Sequence, residues 1–97
     1  MAYVISERAA DDIYWLYESG KREFGEWAAN AYLDLLRHAV EFASAYPGAS
    51  PSRKFVSGPV RTKYFGSHLI VYEMNDLDIV VLRVFHQSQD WQNEPFQ

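Results

Sequence analysis

Pro47-Gly48 divides this chain of 97 residues into two halves whose apolar residues repeat with different periods. Before it, Ala9, Ile13, Leu16, Tyr17, Gly20 and Phe24 recur at helical spacing, and so do Trp27, Ala31, Leu35, Ala39, Phe42 and Tyr46. After it, the runs 60–65, 68–74 and 78–86 are alternating or continuously apolar, as strands are. A pattern of period 3.6 does not settle as a strand, nor one of period two as a helix. The chain is therefore expected to place helices and strands in separate layers of one α+β domain.

Tyr3-Val4-Ile5 reads as a short first strand. Ser6 suits a helix N-cap, with Glu7, Asp11 and Asp12 favourable near the positive helix end. The first helix is predicted over about residues 7–23, stopping near Gly25. The second follows at once, its stripe widened by Ala28, Tyr32 and Leu36, and ends at Pro47, which cannot continue the hydrogen-bond ladder. Residues 47–59 hold three Pro, two Gly and three Ser and read as a loop. Gly66-Ser67 suits a hairpin turn, and Asn75-Asp76-Leu77 a second turn. The expected architecture is a single domain over residues 1–97 with the order β-α-α-β-β-β. In it a helical hairpin packs on one face of a small antiparallel sheet, and the first strand joins at an edge or centrally. Ile13, Leu16, Leu35, Phe42, Leu82 and Val84 are the expected core.

Composition narrows the function. There is no Cys, which removes disulfides, zinc-thiolate sites and thiol nucleophiles and fits a cytoplasmic location. The start has no charged segment before an apolar run, so no signal peptide is expected, and no stretch approaches the roughly 18 apolar residues of a membrane span. Net charge is −4, yet residues 47–72 carry Arg53, Lys54, Arg61 and Lys63 and no acid. Proteins that grip nucleic acid by its phosphates are usually basic overall, so no specific nucleic-acid binding is expected. What remains is a local basic patch on an acidic body, or simply a solvated surface.

The run Asp78–His86 carries a guanidinium inside an apolar strand. Strict alternation puts Ile79, Val81, Arg83 and Phe85 on one face and Val80, Leu82, Val84 and His86 on the other. Arg83 must either pair with a carboxylate such as Glu73 or Asp90, or open onto a cleft where Arg61 or Lys63 could join it. His86 and Asp90 could be a base and its orienting acid, but no motif places a nucleophile: Ser88 sits in no nucleophile elbow. The alternative is a histidine that closes the strand end. No catalytic residue is assigned. His38, His68 and His86 are dispersed without ligand spacing, so neither a metal nor a cofactor is expected.

The residues nonetheless resemble the ParE toxins of the ParE/RelE superfamily, from bacterial type II toxin–antitoxin systems. The resemblance rests on Tyr3-Val4-Ile5-Ser6 with Ala9, Asp12, Ile13 and Tyr17, and on the Phe24-Gly25 joint. It continues through Ala28, Ala31 and Tyr32, the Tyr46-Pro47-Gly48 stop, Arg61, and His68-Leu69-Ile70-Val71-Tyr72. It ends in Ile79 through Arg83-Val84-Phe85-His86, with Asp90. The loop Ala49 to Pro59 departs from the family, lacking its Gly-Arg and Leu-Arg elements.

The resemblance implies a toxin that inhibits DNA gyrase by direct binding, in plasmid or chromosome maintenance, and is neutralised in a hetero-oligomer with a ParD-like antitoxin. Arg61, Lys63, Arg83, His86, Asp90 and Trp91 are the expected toxic surface. Arg53, Lys54, Arg61, Lys63, Tyr64 and Phe65 are the expected antitoxin site. RelE-type relatives are ribosome-dependent mRNA endoribonucleases; on that alternative Arg61, Arg83 and His86 would carry the chemistry. A third possibility is a non-toxic module that only binds antitoxin. The acidic balance favours the protein-directed toxin, and hence a non-enzyme.

Overall fold

The computed structural model describes residues 2–55, 58–76 and 78–93, with the side chains of residues 53–55 and 58 outside that description. The order is β1 (Ala2–Ile5), α1 (Glu7–Phe24), α2 (Glu26–Ala45), β2 (Ser52–Phe55), β3 (Gly58–Phe65), β4 (His68–Met74) and β5 (Asp78–His86), then a 3-10 turn at Trp91–Asn93.

Local chemistry sets the helix ends. Ser6 is extended at φ −64° and ψ 162°, and its Oγ accepts the Ala9 N–H at 3.1 Å. The same hydroxyl donates to the Leu82 carbonyl at 2.9 Å, and the Ser6 N–H donates to Val81 O at 3.0 Å. One residue thus caps α1 and fastens it to β5. Gly25 ends α1 at φ 93°, a backbone angle open to glycine and strained for other residues, and α2 starts at the next residue. At the far end the Tyr72 hydroxyl donates to Pro47 O at 2.9 Å and holds the α2 terminus to the sheet.

The strands form one sheet in the order β1-β5-β4-β3-β2. β2–β3, β3–β4 and β4–β5 are antiparallel, but β1 runs parallel to β5, with Ala2 opposite Asp78 and Ile5 opposite Val81. The sheet is therefore mixed, a correction to the antiparallel expectation. A parallel pair needs a crossover, and the helices supply it. β2 is a second correction: part of the supposed loop 47–59 pairs with β3, Ser52 opposite Arg61. Gly66, at φ 51°, takes the first place of the β3–β4 hairpin turn, as two-residue hairpin loops favour. At the next turn Asp78 N–H donates to Asn75 Oδ1 at 2.7 Å, while Leu77 lies outside the described residues.

The main core lies between helices and sheet. It joins Leu36, Ala39, Val40 and Ala43 of α2 to Ile70, Tyr72, Ile79, Val81 and Val84, with Ile13 and Leu16 half-buried against it. Leu35 and Phe42 are 46% and 40% exposed, so these two expected core residues lie at the surface, outside both sheet-face clusters. The inward stripe of α2 is turned by one residue from the expected one. On the other sheet face Val60, Leu69, Val71, Phe85 and Trp91 form a second cluster, with Leu82 half-buried against it. Strict alternation along β5 fails because Val71 faces Arg83 while Tyr72 faces Val81. Leu82 is the extra residue of a bulge, and past it the inward set shifts from Ile79 and Val81 to Val84.

Candidate functional site

β1 ends at Ile5, so the second half of β5 has no strand on that side. Asp12 on α1 occupies the place of a partner. Its Oδ2 accepts the Val84 N–H at 2.9 Å and the Arg83 Nε–H at 2.7 Å, and its Oδ1 accepts Arg83 Nη2–H at 3.0 Å. The two side chains are 13% and 18% exposed, and the guanidinium lies 4.6 Å from the Phe85 ring centroid. Arg83 is paired, then, but with neither Glu73 nor Asp90. Its partner lies 71 residues away, at a distance no spacing argument spans. The Arg83 guanidinium is held inside, and its two-pronged geometry suits a carboxylate.

Beside this pair a cleft of about 800 Å³ opens between the helical hairpin and the adjoining ends of β4 and β5. Trp15, Leu16 and Phe24 of α1 and Ala28 and Ala29 of α2 wall it, and His68 and His86 line the sheet side. The two imidazole centroids are 5.0 Å apart at 80°. His86 Nδ1 lies 3.0 Å from the Ser88 amide nitrogen and 2.6 Å from its hydroxyl. An amide can only donate, so Nδ1 is the acceptor and neutral His86 carries its hydrogen on Nε2. Tyr32 Oη accepts the Ser67 N–H at 2.9 Å and shares a hydrogen bond of 2.6 Å with His68 Nδ1. Burial, then the neighbouring His86, lowers the His68 pKa and keeps that ring neutral.

Asp90 does not orient His86. It accepts from Asn93 Nδ2 at 2.8 Å and is exposed. Trp91 is 6% exposed and stacks on Phe85, 6.4 Å between centroids, closing the second core cluster. Among the described residues no group of three or more His, Cys, Asp or Glu could hold a metal ion.

The expected antitoxin residues divide between the two sheet faces. Lys63 Nζ lies 4.5 Å over the Phe42 ring, and Arg61 Nη1 donates to Ser50 O at 2.6 Å, both on the helix side of β3. Phe65 is 7% exposed, so it packs in the core and is no surface anchor; Tyr64 is 48% exposed. The side chains of Arg53 and Lys54 lie outside the described residues. Sequence reading missed Asp12, Tyr32 and His68 as members of the site. Tyr32 alone gave a sign, as a hydroxyl on the apolar side of α2 that needs a partner.

The family model described as the ParE toxin of the type II toxin–antitoxin system parDE matches residues 3–91. The chain belongs to that family. A solved structure, the chromosomal ParDE toxin–antitoxin system from P. aeruginosa, shares the ParE fold seen here with a TM-score of 0.75. The match covers 89% of this ParE chain and 95% of that one at 19% identity. No curated protein matches the sequence significantly. Among the described residues of this ParE toxin no helix is long and apolar enough to cross a membrane.

Proposed function

We propose that this ParE toxin acts by binding DNA gyrase and is held inactive by a ParD-like antitoxin. The match to the ParE family over residues 3–91 carries the reading. Charge supports it, since a net −4 suits a protein target better than ribosomal RNA. The chemistry of His86 also supports it. A ribonuclease needs a base with a free lone pair, and the His86 lone pair at Nδ1 is taken by Ser88. The target surface is the exit of β5, where Asp90 is exposed and His86 half-buried, with Arg83 positioning the strand from within. The antitoxin surface is the helix side of β3, where Arg61 and Lys63 adjoin an exposed stripe of Leu35, Phe42 and Tyr46 on α2. That combination suits an acidic amphipathic segment.

Supercoiling by purified gyrase tests the reading. Added toxin should inhibit it, and a cognate ParD-like antitoxin should restore it. Unimpaired supercoiling together with mRNA cleavage in a translating extract would establish the ribonuclease instead. Neither activity, with antitoxin binding retained, would leave a binding module.

A further inference from the structure

His86 is the pivot of the turn that carries Trp91 back onto the sheet. Its Nδ1 accepts the Ser88 N–H at 3.0 Å, its own N–H donates to Gln89 Oε1 at 2.9 Å, and its carbonyl accepts the Gln89 N–H at 3.0 Å. The Gln87 N–H donates to Ser67 O at 2.9 Å, next to His68. Just beyond the turn Trp91 stacks on Phe85 and closes the cluster of Val60, Leu69 and Val71.

Acid acts on this turn at one atom. The Ser88 amide can only donate, so its bond exists only while His86 Nδ1 is bare. An imidazolium carries hydrogen on both nitrogens and sets one donor against another at 3.0 Å. The Ser88 hydroxyl, 2.6 Å from the same nitrogen, can turn to accept, but the amide loses its acceptor. His68 stands opposite on β4, 5.0 Å between ring centroids, so a second proton meets the charge of the first. Among the described residues no anion answers either charge. Asp12 of α1 is matched by Arg83 of β5, Asp90 of the turn accepts from Asn93, and Glu23 of α1 lines the cleft without bonding to either ring. From α2 comes the Tyr32 hydroxyl on His68. Burial, then His86, hold His68 below its ordinary 6.5. A base kept neutral by the closed form supports that form above this value and opposes it as pH falls, because the opened form takes the proton more readily. We propose that the His68–His86 pair is an acid-sensitive hinge whose protonation frees residues 87–93 and uncovers the apolar sheet face beneath Trp91. The helices and the main core stay folded. This goes beyond the gyrase and antitoxin reading and does not depend on it.

Hydrogen exchange of the intact protein at pH 7.5 and 5.5 tests it, each rate taken relative to an unstructured amide at the same pH. Protection of the Gln87 and Gln89 amides should fall about tenfold at the lower pH, the equivalent of one pKa unit between closed and opened forms. At both pH values it should stay well below that of the Val40 and Ala43 amides in α2. His86→Asn offers an amide oxygen that accepts the Ser88 N–H and does not titrate, so it should lose most of the fall. His68→Gln removes the second charge and leaves the turn itself in place, and it should lessen the fall. Equal protection of turn and α2 amides would mean that the segment opens only with the whole protein, which overturns the proposal. So does wild-type protection unchanged by pH, or a full tenfold fall kept by either variant.

Discussion

Asp12 does three things with two oxygen atoms. It neutralises Arg83, accepts the Val84 amide that β1 is too short to reach, and fixes α1 against β5. Removing one partner of so enclosed a pair leaves the other charge stranded, so Arg83→Ala should cost roughly 3 kcal/mol in urea unfolding. Asp12→Ala should cost more, because Val84 N–H loses its acceptor as well. Arg83→Met, which packs over Phe85 without charge, should recover stability relative to Arg83→Ala. If Arg83→Ala keeps wild-type stability and antitoxin affinity yet loses growth inhibition, the guanidinium contacts the target directly and the positioning role is wrong. Sequence made the presence of a partner legible, since an arginine in an apolar strand demands one. Which carboxylate answers is a matter of topology, and Asp12 and Arg83 meet only once α1 lies beside β5.

The helices were the most legible elements, because their signals are local: the Ser6 cap, the glycine at 25 and the proline at 47 each act within one turn. The orientation of α2 was less so. Its large aromatics Trp27, Phe42 and Tyr46 suggested the inward stripe, yet they are 85%, 40% and 62% exposed. The inward face is made of smaller residues, Ala29, Leu36, Ala39, Val40 and Ala43, which let the helix approach the sheet. Leu36→Ala should thus cost about 3 kcal/mol, and its neighbour Leu35→Ala less than about 1 kcal/mol. Urea unfolding of the two variants measures the difference, and the reverse order would restore the expected stripe. β2 was hidden by proline, glycine and serine, which mark loops in general but tolerate an edge strand. The bulge at Leu82 left no mark, because both faces of β5 are apolar and alternation has nothing to contrast.

At the scale of the whole molecule, charge is sorted by sequence: residues 47–72 are purely basic and the rest is acidic in balance. An antitoxin drawn to Arg61 and Lys63 should associate more slowly as salt rises, and Arg61→Glu with Lys63→Glu should slow it further and flatten the salt dependence. Stopped-flow association rates at several ionic strengths would show this; unchanged rates would move the antitoxin elsewhere. The layer architecture was legible from the change of hydrophobic period, and the cleft was not, because its walls come from α1, α2 and the ends of β4 and β5, which meet only in the folded chain. The parallel pairing of β1 with β5 also bears on how a cell makes this toxin. Strand residues 2–5 must wait for residues 78–81, and Ser6 for a carbonyl 76 positions later. Synthesis at 5–20 residues per second makes that wait roughly 4–15 s. Such distant closures also fold slowly. Until then the nascent chain lacks both the β1–β5 pair and the Ser6 clasp, and a complementary protein made beforehand has that interval in which to be ready.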